Sequence, residues 1–227
     1  MELVFNICQD KTAVPTKVAI EHCIVAGWAG RDAAQIQAHI DELALLGVAP
    51  PSAVPLYYRV AINQLTQDTS VQVVGGDTSG EAEVLYFVVG DEPFVSLASD
   101  HTDRRLESHS VALSKQVCIK PVASEAWRFA EVEPHWDQLI LRSWIEEDGS
   151  QVLYQEDTLA ALLPPRELAG KHFGSDVPPQ GYAMMCGTVP VIGDIRPSTA
   201  FTMELADPVL RRSLTHRYTV QSLAMVS

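Results

Sequence analysis

Gly80-Glu81-Ala82-Glu83-Val84-Leu85-Tyr86-Phe87-Val88-Val89 reads as an apolar strand with two glutamates at its mouth. A strand repeats every two residues, so both carboxylates face the same side. Like charges about 4 Å apart repel by about 4 kcal/mol at an effective dielectric near 20, a large share of a domain's net stability. Protons, a lysine or a divalent cation can neutralise the pair, and its oxygen-only donors suit a hard ion such as Mg²⁺. A strand whose first residues lie in solvent would need none of these, since unpaired glutamate is seldom buried.

Working outward, Val- and Ile-rich runs at 2–9 and 17–26 read as a pair of strands ahead of a helix over 32–46. That helix has Ile36, Ile40, Leu43 and Leu46 at helical spacing, Asp32 as N-cap and Gly47 as its stop. Residues 48–55 hold Pro50, Pro51 and Pro55 and read as a stiff extended connector. Beyond it, strand-like runs fall at 56–62, 70–75, 82–89, 93–97, 117–121, 138–146 and 151–154. A second helix is expected over 157–169, a polar loop over 170–179, and strands at 182–187, 199–206 and 213–224. The expected organisation is a 1–55 N-terminal annex or lid and a 56–227 β-rich catalytic body. Its class is α+β, a mixed-sheet assembly with few helices and no βαβ alternation.

The chain has 227 residues, 47% of them hydrophobic, enough for a large core. A formal net charge of -13 argues against nucleic-acid or anionic-membrane partners, which need clustered Lys and Arg. Cys8, Cys23, Cys118 and Cys186 lie in apolar runs without CxxC pairing and read as reduced, buried thiols. With no basic stretch followed by an apolar segment after Met1, and no apolar run of about 18 residues, the expectation is a cytoplasmic protein. The glycines of 75–80 lack the lysine of a phosphate loop and precede a strand, so they read as a turn.

Ser99-Asp100-His101-Thr102-Asp103-Arg104-Arg105-Leu106-Glu107 carries a third acid. A strand-borne Glu-x-Glu followed by Ser-Asp-x-Thr-x-Arg resembles the metal site of the fumarylacetoacetate hydrolase superfamily. Three further segments keep that family's order: His39-Ile40-Asp41-Glu42 with Gly47 and Pro50-Pro51, then Lys115, then Gly187-Thr188-Val189-Pro190. The resemblance covers roughly 35 to 220 and is to a divergent branch, the DUF2848 family. Ser99 replaces the usual asparagine, the span from Glu83 to Asp100 is shorter than usual, and Lys115 lacks the usual aromatic and glycine neighbours.

The resemblance implies a mixed β-sheet roll or sandwich like that family's C-terminal domain. It implies Glu81, Glu83 and Asp100 as ligands of Mg²⁺, or of Mn²⁺ or Ca²⁺. Arg104, Gly187 and Thr188 would then bind a small-molecule carboxylate substrate, with Lys115 assisting catalysis. One helical turn separates His39 from Glu42, so the carboxylate can orient the imidazole as a general base on water. His101 and His109 read as structural histidines, because an all-oxygen site does not need them. The implied activity is cleavage of a C–C bond in a 2-oxo acid or acylpyruvate-like substrate through a metal-bound enolate. A decarboxylase or sugar-acid dehydratase of the same superfamily is the alternative, and a non-catalytic ligand- or metal-binding module is the alternative of another class. A homodimer is the expected assembly.

Overall fold

The structure, a computed structural model, describes residues 1–9, 12–45 and 50–226, without the side chains of 8, 9, 12, 39, 42 and 43. Strands β1 (Glu2–Gln9), β2 (Thr12–Ala19) and β3 (His22–Gly27) precede helix α1 (Ala33–Leu45). Next come β4 (Leu56–Val60), β5 (Ser70–Val74), β6 (Ala82–Val89), β7 (Glu92–Ser99) and two short helices, α2 (Arg104–Glu107) and α3 (Val111–Gln116). The remainder comprises β8 (Glu125–Arg128), α4 (Phe129–Val132), β9 (Ile140–Glu147), β10 (Ser150–Thr158), α5 (Pro165–Phe173), β11 (Tyr182–Met185), β12 (Ala200–Asp207) and β13 (Arg212–Leu223).

Two sheets dominate. The larger runs β2-β1-β8-β7-β6-β11-β3-β4 and the smaller β10-β9-β12-β13-β5. Both are mixed: β1/β8, β11/β3 and β13/β5 are parallel and the other pairings antiparallel. Val18 of β2 and Val60 of β4 lie on opposite edges of the larger sheet, yet both join one buried cluster with Phe5, Ile7, Leu85, Phe87 and Met185. On a flat sheet those edges would stand about 34 Å apart, so the sheet is rolled around this inner core. Its outer face, with Val84, Tyr86, Val95 and Leu97, packs on Phe201, Met203, Leu205 and Tyr218 of the smaller sheet. Alternate residues of β6 thus feed two cores, which is why its sequence is continuously apolar. The expected β-rich roll with few helices is the fold found.

Strands β1 to β3 are integral to the larger sheet, which therefore runs across residue 55. The run at 17–26 is two strands, with β2 ending at Ala19 and β3 starting at His22. Helix α1 starts where its cap predicts: Asp32 Oδ1 accepts the N–H groups of Ala34 at 2.9 Å and Gln35 at 3.1 Å. Gly47, its expected stop, lies outside the described residues. The expected strand over 117–121 is mostly absent, since α3 ends at Gln116 and only Lys120-Pro121 pairs, with Leu65-Thr66. The second helix is α5, shifted from the expected 157–169. Pro164 and Pro165 favour a helix start, and β10 runs to Thr158 ahead of them. Cys23, Cys118 and Cys186 are free and buried, as expected, while the Cys8 side chain lies outside the described residues. Among the described residues no helix is long and apolar enough to cross a membrane.

Candidate metal centre

The β6/β7 hairpin builds the site. Gly90-Asp91 alone joins its strands, because Val89 pairs with Glu92. Gly90 takes φ 63°, the left-handed value needed at the first position of a two-residue hairpin turn with glycine leading. That turn sets the register: Ala82 pairs with Ser99, and one residue on, the Asp100 N–H donates to the Glu81 carbonyl at 2.9 Å. Asp100 therefore stands across from Glu81 on the same face. Glu83 shares the face by period two, and the three side chains bring one carboxylate oxygen each within 4.8 Å of one another. Leu85 and Phe87 point the same way, so the acids close one end of the inner core.

Each carboxylate has one oxygen held by a donor of the chain. Arg104, at the start of α2, donates from Nη2 to Glu81 Oε1 at 2.8 Å, from Nε to Ser79 Oγ at 2.7 Å and from Nη1 to Glu107 at 2.9 Å. The Gly187 N–H donates to Glu83 Oε2 at 2.7 Å. The Lys115 ammonium, carried by α3, donates to Asp100 Oδ2 and lies 3.8 Å from Glu81 Oε2. Gly187 has φ 90°, and a Cβ there would come within 2.8 Å of the Ala29 Cβ, so both its backbone and its space require glycine.

Lys120 completes the cluster and is fully buried. Its three N–H groups go to the carbonyls of His101 (2.6 Å), Cys118 (3.1 Å) and Lys115. The ammonium is 3.2 Å from Asp100 Oδ1 but has no N–H left to direct at it. Asp100 Oδ1 is consequently a buried oxygen with no hydrogen-bond donor. Buried polar atoms are rarely left so, and an oxygen of this kind suits a ligand to a hard cation. Glu81, Glu83 and Asp100 offer an all-oxygen donor set whose other oxygens are already held by Arg104, the Gly187 N–H and Lys115, so the residues present fit a divalent metal.

The electrostatics are tightly balanced. Burial works against ionisation of Asp100, but Lys115 and Lys120 offset it and hold its carboxyl below the usual range. Burial, then the charges of Asp100 and Glu81, raise Glu83 well above the usual range, against the pull of Lys115 and the Gly187 N–H. Burial would lower Lys115, yet Asp100, Glu81 and Glu83 more than compensate and keep it protonated. His101 is not aimed at the carboxylates. Its Nδ1 meets the Tyr218 hydroxyl at 2.9 Å and its Nε2 the Thr78 hydroxyl at 2.8 Å, and burial, with Lys120 and Arg104, lowers it to about 3.

Of the expected site residues, Glu81, Glu83, Asp100, Arg104, Lys115 and Gly187 come together. Thr188 is adjacent, but its hydroxyl donates to the Ala82 carbonyl at 2.7 Å, so that proton is engaged. His39 and Glu42 belong to α1, and their side chains lie outside the described residues. Lys120, Gln155 and Tyr58 were not selected from the sequence. The Tyr58 ring lies 5.7 Å from the Lys115 ammonium, and its hydroxyl takes a hydrogen bond from Trp28, which is held at φ 60°. That strained value at a bulky residue marks a segment fixed by its surroundings, a signal only the fold reveals. Two cavities, of about 310 and 690 Å³, lie elsewhere and are not lined by the three acids.

Residues 26–218 match the family model described as "Protein of unknown function (DUF2848)". The chain belongs to the DUF2848 family. No curated protein matches this DUF2848 member in sequence. Among solved structures, 2-keto-3-deoxy-D-arabinonate dehydratase complexed with magnesium and 2,5-dioxopentanoate shares its fold at TM-score 0.64 and 12% identity, over 95% of this chain and 86% of that one. The apo form of that dehydratase gives 0.63 and 13%, over 95% and 86%. Cg1458 with inhibitor gives 0.63 and 12%, over 92% and 81%. At these identities the likeness speaks to the fold alone.

Proposed function

We propose that this DUF2848 member is a divalent-metal-dependent enzyme that cleaves a C–C bond in a small 2-oxo acid or acylpyruvate-like substrate. The observation that carries the reading is Asp100 Oδ1, a buried carboxylate oxygen without a donor, facing two further acids whose outer oxygens are already tied. Glu81, Glu83 and Asp100 would hold Mg²⁺ or Mn²⁺. When bound, such an ion supplies Lewis-acid polarisation of a carbonyl and stabilises negative charge developing on its oxygen.

The residues of the chain take the remaining roles. Arg104 spends three of its five N–H groups on Ser79, Glu81 and Glu107 and keeps two to orient a substrate carboxylate. Lys115, kept protonated, offers fixed positive charge to an oxyanion. Gly187 serves by fixing Glu83, and Thr188 can contact substrate by exchanging its bond to Ala82. His39 would be the general base that takes a proton from the attacking water, with Glu42, three residues on, to orient it. Elimination of water from a 2-keto-3-deoxy sugar acid is the second reading, favoured by the shared fold with a 2-keto-3-deoxy-D-arabinonate dehydratase.

The test is a turnover screen with Mg²⁺ and Mn²⁺ on acylpyruvates, oxaloacetate and 2-keto-3-deoxy sugar acids, with EDTA controls. Metal-dependent hydrolysis that is lost in His39→Ala supports the leading reading. Turnover unchanged in His39→Ala removes the hydrolytic role of that residue. Absence of metal binding would leave a self-neutralised cluster, in which Lys115 on Asp100 does the work of an ion, and a non-catalytic module.

A further inference from the structure

We propose that Gln155 is a positioning residue of the carboxylate cluster, acting from the smaller sheet on β6, which carries the two glutamates, and on the segment after β11 that anchors Glu83; the inference rests on the metal reading above. Gln155 is fully buried in β10. Its Oε1 accepts the Ala82 N–H at 3.1 Å and the Ser143 hydroxyl at 2.7 Å. Its Nε2 donates to Thr188 Oγ1 at 2.8 Å and to the Val189 carbonyl at 2.6 Å. All four hydrogen-bonding positions of the amide are filled.

Ala82 is the residue between the two glutamates, and its N–H and C=O both point away from β7. The neighbour on that side is β11, which pairs as far as Met185 opposite Leu85. Cys186 still donates to the Val84 carbonyl at 2.9 Å, and then the chain turns at Gly187. That departure delivers the Gly187 N–H to Glu83 and would strand both polar groups of Ala82 in the interior. Gln155 takes the N–H, Thr188 takes the C=O, and the Gln155–Thr188 bond closes the ring. The side chain of Gln155 thus replaces a missing strand where the strand must break. It holds the peptide between Glu81 and Glu83 in register with the turn that anchors Glu83. Groups hydrogen-bonded directly to metal ligands typically change affinity by about 10–100-fold when removed, and Gln155, which holds the peptide between two of them, is expected near the lower end of that range.

The test compares Mn²⁺ affinity by calorimetry and Mn²⁺-induced thermal stabilisation in wild type, Gln155→Met and Ser143→Ala. Ser143→Ala removes a hydrogen bond of the same buried amide that does not reach the site. The expected result is a Mn²⁺ affinity reduced about 10-fold or more in Gln155→Met, with a smaller metal-induced rise in Tm, and an affinity within about twofold of wild type in Ser143→Ala. If Gln155→Met does not fold, Thr188→Val opens the ring from its other side and is expected to weaken Mn²⁺ in the same way. An affinity within about twofold of wild type in the folded variant overturns the inference while leaving the metal reading intact. Equal losses in Gln155→Met and Ser143→Ala overturn it as well, because general loosening of the core would then explain both. A wild-type protein that binds no Mn²⁺ overturns the metal reading and this inference with it.

Discussion

Asp100 and Asp207 are both buried aspartates at the end of a strand, and they differ in how their oxygens are occupied. Asp207 Oδ1 accepts the N–H groups of Val209 at 3.1 Å and Leu210 at 3.0 Å and faces His135 Nε2 at 2.9 Å, while Oδ2 receives Arg212 at 3.3 Å. Arg212 continues to Glu131 and lies 4.4 Å from the Trp127 ring centre. Asp100 is crowded by two ammonium groups, yet one of its oxygens has no donor. A buried carboxylate whose oxygens are all bonded is explained by structure. One with an oxygen that has no donor, 3.2 Å from the Lys120 ammonium and facing two more acids, suits a bound cation.

The largest effect that could break this contrast is at Asp100. Asp100→Ala leaves Lys115 and Lys120 buried without their partner, so urea unfolding should show a loss of about 3–5 kcal/mol. Mn²⁺ titration of the same variant should show no binding, and wild-type affinity there would end the ligand assignment. Asp207→Asn should cost less, about 1–3 kcal/mol, and leave Mn²⁺ affinity unchanged. Its pH signature is specific. Burial would raise Asp207, but the Leu210 N–H, His135 and Arg212 hold it below the usual range. Its contribution is therefore fully present above the unfolded aspartate value of about 4 and is lost as pH falls through the folded value. Acid unfolding of Asp207→Asn should show a shallower decline than wild type over that range.

Two smaller effects sharpen the comparison. Gly187→Ala must place a Cβ at φ 90° against Ala29, a cost of about 2 kcal/mol in thermal unfolding, and should weaken Mn²⁺ through the displaced Glu83 anchor. Arg104→Lys keeps the charge but cannot reach Ser79, Glu81 and Glu107 at once. The expected result is KM raised about 10-fold with a smaller change in kcat, equivalent to about 1.4 kcal/mol of lost substrate binding.

Much of the site was legible because it is local. The Glu-x-Glu face follows from strand period, whereas Asp100 was legible only through the family resemblance; the observed register around Gly90-Asp91 is what puts residue 100 opposite residue 81. The same short span that looked unusual for the family is what fixes the register. Helix α1 was legible through Asp32, whose cap is local too. No pattern near Lys120 signals its burial, since Pro121 and the end of α3 break any periodicity. Gln155 lies in a polar stretch, Gln155-Glu156-Asp157, where it resembles its exposed neighbours.

Local sequence is enough for the shared face of Glu81 and Glu83 and for a tight turn at Gly90-Asp91, because side-chain alternation and hydrogen-bond register act over a few residues. What surrounds the acids is set by long-range packing. Lys115, Lys120, Gly187 and Gln155 arrive from other elements, as far as 104 residues from the acids they hold in the case of Gly187 and Glu83. Their positions depend on how one sheet rolls up and packs on the other, which no short-range preference of the chain encodes.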